Sequence, residues 1–147
     1  MANYYCSVRT NYFRVKDPEA FREFMQTVVT GEDDVHVWEE TDRNGNPTFG
    51  FGCYGSVLGV ATDGTDGDEE YEDDYDFEEF VYQLSEHVAP GDAVIMIEVG
   101  NEKLRYLVGS ALIVTEYDHE YLDLSTLAAE RAAQMLGNSE WKTRMDY

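Results

Sequence analysis

The sequence has few positive charges, and its middle part has none. Only 10 of the 147 residues are lysine or arginine, against 31 aspartates and glutamates, which gives a formal net charge of -21. No lysine or arginine occurs between Arg43 and Lys103. Because nucleic acids and anionic membranes are polyanions, this balance excludes both as direct partners. It favours a cationic partner, such as the basic surface of another protein.

Other absences narrow the class of protein. Cys6 and Cys53 lack the spacing of a disulfide framework or a zinc site, so we expect free thiols in a reducing cytoplasm. The sequence begins without an apolar signal segment and has no run of membrane-spanning length, which predicts a cytoplasmic protein without membrane contact. Phosphate-binding loops and hydrolase motifs are absent, and His36, His87 and His119 are scattered. We therefore expect no enzymatic activity, no catalytic residues, no cofactor and no metal site.

The remaining composition is that of a folded protein. Hydrophobic residues make up 43% of the chain and aromatic residues 14%. A disordered acidic chain would be poor in aromatic residues. At this length we expect one domain, spanning residues 1–147, that buries roughly two-thirds of its surface.

The first half of the chain predicts a strand, a helix and a hairpin. Residues 3–15 are rich in aromatic and β-branched side chains and predict a strand. Asp17, followed by a proline, predicts the start of a helix that ends at Gly31. Residues 35–41 and 48–61 predict two strands joined by a tight turn at residues 42–46.

The second half repeats this order. Asp76 predicts a helix N-cap, with Glu79 placed to complete a capping box. Residues 93–99 form a nearly continuous apolar run, which is typical of a strand at the centre of a sheet. Residues 104–115 predict the returning strand and residues 120–124 a short edge strand. A last helix over residues 125–137 is expected to bury one apolar face and to end at Gly137.

These elements predict an α+β fold with an internal repeat. The order is β-(αββ)-(αββ)-α, with repeat halves at about 17–61 and 76–115 and an acidic linker at 62–75. Such an order is typical of an antiparallel or mixed sheet with helices packed on one face, in the ferredoxin-like manner. The acidic linker would therefore join the two repeats rather than form a tail.

The candidate binding site is the acidic block between residues 63 and 79. It holds eleven carboxylates in seventeen residues, no cation, and two interleaved tyrosines that suit a protein interface. The predicted partner-binding residues are Asp63, Asp66, Asp68, Glu69, Glu70, Tyr71, Glu72, Asp73, Asp74, Tyr75, Asp76, Glu78 and Glu79.

The charge density of this block approaches that of a nucleic-acid backbone. Eleven charges over seventeen residues correspond to about one per 5 Å in an extended chain and about one per 2.3 Å in a helix. A single nucleic-acid strand carries about one per 3.4 Å. The block could therefore imitate nucleic acid, or it could be a solvated loop without a partner. The block does not match the pattern of an EF-hand calcium loop, whether the loop is taken to begin at Asp63 or at Asp66.

Four segments carry a resemblance: RTNYFRVKDPEAFREFM, TFGFGCYGS, GNEKLRYLVGSA and the closing WKTRMDY. In them the chain resembles a group of small acidic proteins carried on bacterial mobile elements and phages. That resemblance implies a setting in which antirestriction and anti-CRISPR proteins occur, several of which mimic DNA. It assigns no functional residue.

The sequence thus predicts a non-enzymatic inhibitor that binds the basic DNA- or RNA-binding surface of a host defence or DNA-processing protein. An alternative is an immunity or antitoxin-like module that neutralises a basic toxin. Both would bind a cationic protein, and a homodimer is compatible with either.

Overall fold

The computed structural model describes residues 4–62, 65–66, 69–70 and 75–144, with the backbone alone at 65–66 and 69–70. The described residues form eleven strands and three helices. They are β1 (Tyr5–Thr10), α1 (Pro18–Met25), β2 (Val28–Thr30), β3 (His36–Thr41), β4 (Pro47–Tyr54), β5 (Val57–Ala61), β6 (Thr65–Asp66), β7 (Glu69–Glu70), β8 (Tyr75–Asp76), α2 (Phe77–His87), β9 (Val94–Glu102), β10 (Tyr106–Val114), β11 (His119–Asp123) and α3 (Leu124–Leu136).

A six-stranded sheet organises the fold. Its order is β11-β10-β9-β1-β4-β3, so β1 lies between the β3–β4 hairpin and the β9–β10 hairpin. Every strand pair in this sheet is antiparallel. The predicted α+β class is therefore confirmed. No helix in the described part of the chain is long and apolar enough to cross a membrane.

The predicted start of α1 and the predicted turn of the first hairpin are both confirmed. The Asp17 carboxylate accepts hydrogen bonds from the backbone N–H of Glu19 and Ala20, at 3.0 and 3.3 Å, and Pro18 occupies the first turn. These contacts satisfy N–H groups that have no partner within the helix. In the hairpin turn the Asp42 carboxylate accepts the N–H of Asn44 and Asn46.

Aromatic packing holds α1 and α2 on one face of the sheet. Phe21 of α1 meets Phe49 of β4 with ring centroids 5.1 Å apart, and Phe80 of α2 meets Phe51 edge-on at 6.4 Å. All four rings are completely buried. Burial of each such side chain stabilises the fold by about 1.5–3 kcal/mol.

The long strand predicted over residues 48–61 is divided in two. Gly55 has a φ of +80°, which turns the chain out of the large sheet after β4. The next segment, β5, joins a separate three-stranded sheet of order β2-β5-β8. Helix α1 ends at Met25 and not at the predicted Gly31, because residues 28–30 form strand β2, which pairs with β5. The first predicted strand is also shorter, since β1 covers only Tyr5–Thr10 of residues 3–15.

The prediction that all helices share one face is wrong for α3. Val8 of β1 points into the core, so its neighbour Ser7 points to the opposite face. Ser7 pairs with Val99 of β9, and Val99 pairs with Gly109 of β10. Gly109 therefore also lies on the face opposite the core. Leu124 of α3 lies against Gly109, where a Cβ atom would come within 3.0 Å of its side chain. Helix α3 therefore lies on the face opposite α1 and α2.

The predicted buried face of α3 is also wrong. No residue of this helix is buried, and Met135 is 82% exposed. The sequence also favours Ser125 as the residue that caps the start of this helix, but the helix begins at Leu124 and its N-cap is Asp123, whose carboxylate accepts the Thr126 N–H at 3.1 Å. The predicted end at Gly137 is confirmed, with a left-handed φ of 65°.

Candidate functional site

Only part of the predicted acidic block is described by the structure. Side chains are described for its last members, which begin α2: Tyr75, Asp76, Glu78 and Glu79. The backbone of Asp66, Glu69 and Glu70 belongs to the short hairpin of β6 and β7, with Asp66 opposite Glu69. The remaining predicted members lie outside the described residues, and they are Asp63, Asp68, Tyr71, Glu72, Asp73 and Asp74.

Both ends of the acidic segment are held by neighbouring strands. Ala61 at the end of β5 pairs with Tyr75 in β8, and Val60 pairs with Asp76. Gly59 makes this close approach possible, since a Cβ atom there would lie 2.4 Å from the carbonyl carbon of Asp76. The two ends of the segment between residues 61 and 75 are therefore fixed beside each other.

The first turn of α2 carries the described carboxylates. The Asp76 side chain accepts the backbone N–H of Glu79 at 3.1 Å, which confirms the predicted N-cap. The predicted capping box is not completed, because the Glu79 carboxylate accepts a hydrogen bond from Gln83 at 2.9 Å instead. Three exposed carboxylates at a helix N-terminus also interact favourably with the positive end of the helix dipole.

An aromatic cleft of about 730 Å³ lies next to this turn, between α2 and β11. Tyr117, which is 90% exposed, stands at its edge with Asp118 and Glu116. The sequence analysis missed this cleft, although tyrosines alternating with acids in residues 116–121 were a signal for it. The aromatic and apolar side chains that line it are Phe77, Val81, Tyr82, Leu112, Tyr117 and Tyr121.

Among the described residues, one ion pair involves the acids at the cleft and at the start of α2. Lys16 pairs with Glu116 at 2.8 Å, at the edge of the cleft. No other ion pair within the described ranges involves Glu116, Asp118 or the carboxylates at the start of α2. A cationic side chain of a partner would therefore meet unneutralised charge here.

Cations collect at the far end of the same sheet. Arg105, Lys142 and Arg144 line a pocket of about 600 Å³ between β10, α3 and the C-terminal segment, beside Trp141. The fold thus brings three of the ten lysines and arginines to one place, which the linear sequence did not reveal. The Arg105 guanidinium lies 5.1 Å from the centre of the Tyr106 ring.

The three histidines occupy different parts of the fold. His36 and His119 are on β3 and β11, the two edges of the six-stranded sheet, so roughly 24 Å separates their strands. His87 is packed against Phe24, with ring centroids 4.8 Å apart, and burial holds its pKa below the usual value. His119 lines the aromatic cleft together with Glu116 and Asp118. The enzymatic alternative would need such a grouping, but among the described contacts no hydrogen bond joins this ring to a carboxylate.

The described cysteines and acids do not suggest a metal centre. Cys6 and Cys53 are both free thiols, as predicted. Burial raises the pKa of Cys53 to about 11, and its thiol donates to the Gly55 carbonyl at 3.2 Å. In the part of the chain that the structure describes, no group of three or more histidine, cysteine or acidic side chains is placed to hold a metal.

Comparison of the chain with protein-family models, with curated proteins and with solved structures gives no significant match in any of the three.

Proposed function

We propose that this protein is a non-enzymatic acidic inhibitor that occupies the basic nucleic-acid-binding surface of a host defence or DNA-processing protein. The observation that carries the proposal is the tethered acidic loop. Its ends are fixed side by side at Ala61 and Tyr75, and its last carboxylates continue into the first turn of α2. A closed loop on a folded body presents its charges in one place, which a free acidic tail does not do.

The aromatic cleft supports the same function. Arginine and lysine side chains that bind nucleic acid carry a positive charge on a long apolar stem. The rings of Tyr117 and Tyr121 offer flat surfaces for a guanidinium, and such contacts contribute about 0.5–1 kcal/mol at exposed sites. Glu116 and Asp118 would attract the same cation. The cleft and the loop would therefore bind neighbouring parts of one basic surface.

Two narrower proposals accompany this function. The αββ halves at about 17–61 and 76–115 are proposed to be copies of one ancestral unit, supported by the two hairpins that flank β1. The cytoplasm is the proposed location, supported by the two free thiols.

The test uses two variants with equal changes in net charge. In the first, Asp68, Asp73 and Asp74 become asparagine and Glu69, Glu70 and Glu72 become glutamine. In the control, six carboxylates elsewhere become glutamine: Glu19, Glu23, Glu86, Glu102, Glu130 and Glu140. Each protein is used as bait in a bacterial host lysate at low and high salt, and captured proteins are assayed for DNA binding with and without the chain.

We expect the wild type and the control to capture a nucleic-acid-binding protein at low salt and to displace DNA from it. The block variant should lose this capture, because it lacks the carboxylates that make the charge contacts with the partner. High salt screens the same contacts. Equal capture by the block variant and the wild type would contradict the proposal. Capture of a basic toxin that does not bind nucleic acid would favour the immunity or antitoxin alternative.

A further inference from the structure

Among the residues that the structure describes, no helix covers one face of the six-stranded sheet apart from the part beneath α3. Side chains that point away from α1 and α2 can be followed across the strands, because Ile97 pairs with Arg9 and Val99 pairs with Ser7. The apolar run predicted for the centre of the sheet lies in β9, yet only Val94 and Met96 of this strand are buried. We call the uncovered side the open face, and its main members are Ile95, Ile97, Val99, Tyr5, Arg9, Tyr54, Trp38 and Leu107.

The open face is large and apolar. Ile97 is 49% exposed, Val99 55% and Tyr54 61%. Its seven uncharged side chains leave roughly 700 Å² accessible, since a large side chain of this kind presents about 200 Å² and about half of each is exposed. Monomeric proteins rarely leave so large a patch in water. A standard protein interface buries about 800 Å² on each partner, so the patch approaches the size of an interface.

The open face differs in charge from the rest of the molecule. Arg9 is the only charged residue among its main members, and its guanidinium lies 4.8 Å from the Trp38 ring and 6.0 Å from the Tyr12 ring. Glu40 and Glu120 point to the same side from the two edge strands. Glu32 lies closer, in a pocket with Tyr54 and Val99, and Asp33 contacts His36 of β3 at 2.9 Å. In the three strands β1, β9 and β10, no residue that points to this side is acidic, although the chain has 31 acidic residues.

This charge pattern decides which occupant fits. Nucleic acid would bind the aromatic residues of such a sheet, but the net charge of -21 opposes it. A basic protein would gain little from a face whose one central charge is a cation. A second copy of this chain brings the same predominantly apolar surface. A two-fold axis allows one patch to serve both copies.

We propose that the open face is the interface of a homodimer of this chain. The contact is apolar, and each copy carries a large negative charge elsewhere, so the copies repel one another at long range. Added salt screens this repulsion and leaves the apolar contact in place. The dimer therefore becomes more stable as salt rises. This inference does not depend on the proposed function, whose complex becomes weaker as salt rises.

The test is analytical ultracentrifugation of the purified full chain from about 1 µM to about 1 mM, a range that covers ordinary dimer dissociation constants. It is run at about 0.1 M and about 1 M salt, between which the Debye length falls from about 10 to about 3 Å. We expect a dimer whose dissociation constant decreases at the higher salt. A chain that stays monomeric throughout, or a dimer that high salt dissociates, would overturn the proposal.

Variants locate the interface. Ile97→Lys places a charge at the centre of the open face, and we expect it to raise the dissociation constant tenfold or more, at about 1.4 kcal/mol for each factor of ten. Leu104→Lys is the matched control, since Leu104 is 78% exposed in the β9–β10 turn outside the open face. Tyr54→Ser tests the face from another strand and adds no charge. Circular dichroism must show that each variant is folded, and dimers of unchanged affinity in both Ile97→Lys and Tyr54→Ser would place the interface elsewhere.

Discussion

The side chain of Asp76 accepts the backbone N–H of Glu79 at 3.1 Å, and the backbone of Asp76 pairs with Val60 in β5. One residue therefore joins three things: the end of the acidic loop, the small sheet and the first turn of α2. This anchor therefore fixes the position of the last carboxylates of the acidic block.

Removal of the helix cap should lower stability moderately. We expect Asp76→Ala to reduce the free energy of unfolding by about 1 kcal/mol, because the Glu79 N–H loses its acceptor. Asp76→Ser keeps an acceptor and should cost less. Urea denaturation of both variants measures the difference. If alanine and serine destabilise the protein equally, the cap does not contribute.

A side chain at Gly59 should be poorly tolerated. We expect Gly59→Ala to destabilise the protein by about 1–3 kcal/mol, since φ is +147° and a Cβ atom would meet the Asp76 backbone at 2.4 Å. Gly91→Ala is the control, because Gly91 also has a positive φ but no atom within 4 Å of a new Cβ. Thermal unfolding of the two variants separates crowding from backbone strain. Equal losses at both positions would show that crowding at Asp76 is relieved at no cost.

The aromatic cleft should matter for binding and not for folding. Tyr117→Ala and Tyr121→Ala remove exposed rings, so the melting temperature should be unchanged while affinity for the basic partner falls about 2- to 5-fold for each ring. Tyr106→Ala, on the far end of the sheet, is the control and should bind normally. Titration calorimetry with the captured partner measures the affinities. Full affinity in the Tyr117→Ala, Tyr121→Ala double variant would remove the cleft from the site.

His87 should make stability depend on pH. Burial against Phe24 holds its pKa below the usual value of 6.5, so the folded state binds fewer protons than the unfolded state just below that pH. The stability from this group is complete above pH 6.5 and is lost as the pH falls from there through the lowered pKa. In His87→Phe the decline of the melting temperature between about pH 6.5 and 5 should be shallower than in the wild type. A parallel decline in both proteins would mean that His87 is not responsible.

Much of the local structure could be predicted from the sequence because short-range chemistry controls it. The Asp17 cap, the Asp42 turn and the Asp76 cap depend on side chains that bond to backbone groups two to four residues away. The spacing of Phe21 and Phe24 in the sequence is that of one helix face, and both residues are buried in α1. The α+β class followed from the order of these elements.

The candidate site could be predicted only in part. The acidic block was visible as a run of carboxylates, but the aromatic cleft joins residues of α2 with residues about forty positions later in β11. Such a meeting depends on the sheet order, which puts β10 and β11 beside the helix layer. No local pattern contains that information.

The sequence by itself determined the charge, the absence of cations between Arg43 and Lys103, the N-caps of α1 and α2, the hairpins and the α+β class. Only the tertiary structure decided that residues 48–61 divide at Gly55, that α3 lies on the opposite face, and that Ile97 and Val99 remain exposed. These outcomes depend on contacts between distant segments, and an apolar residue has the same sequence signal whether its partner is in the same chain or in another. The open face shows this most directly, because the described residues leave Ile97 and Val99 of the apolar run in β9 exposed.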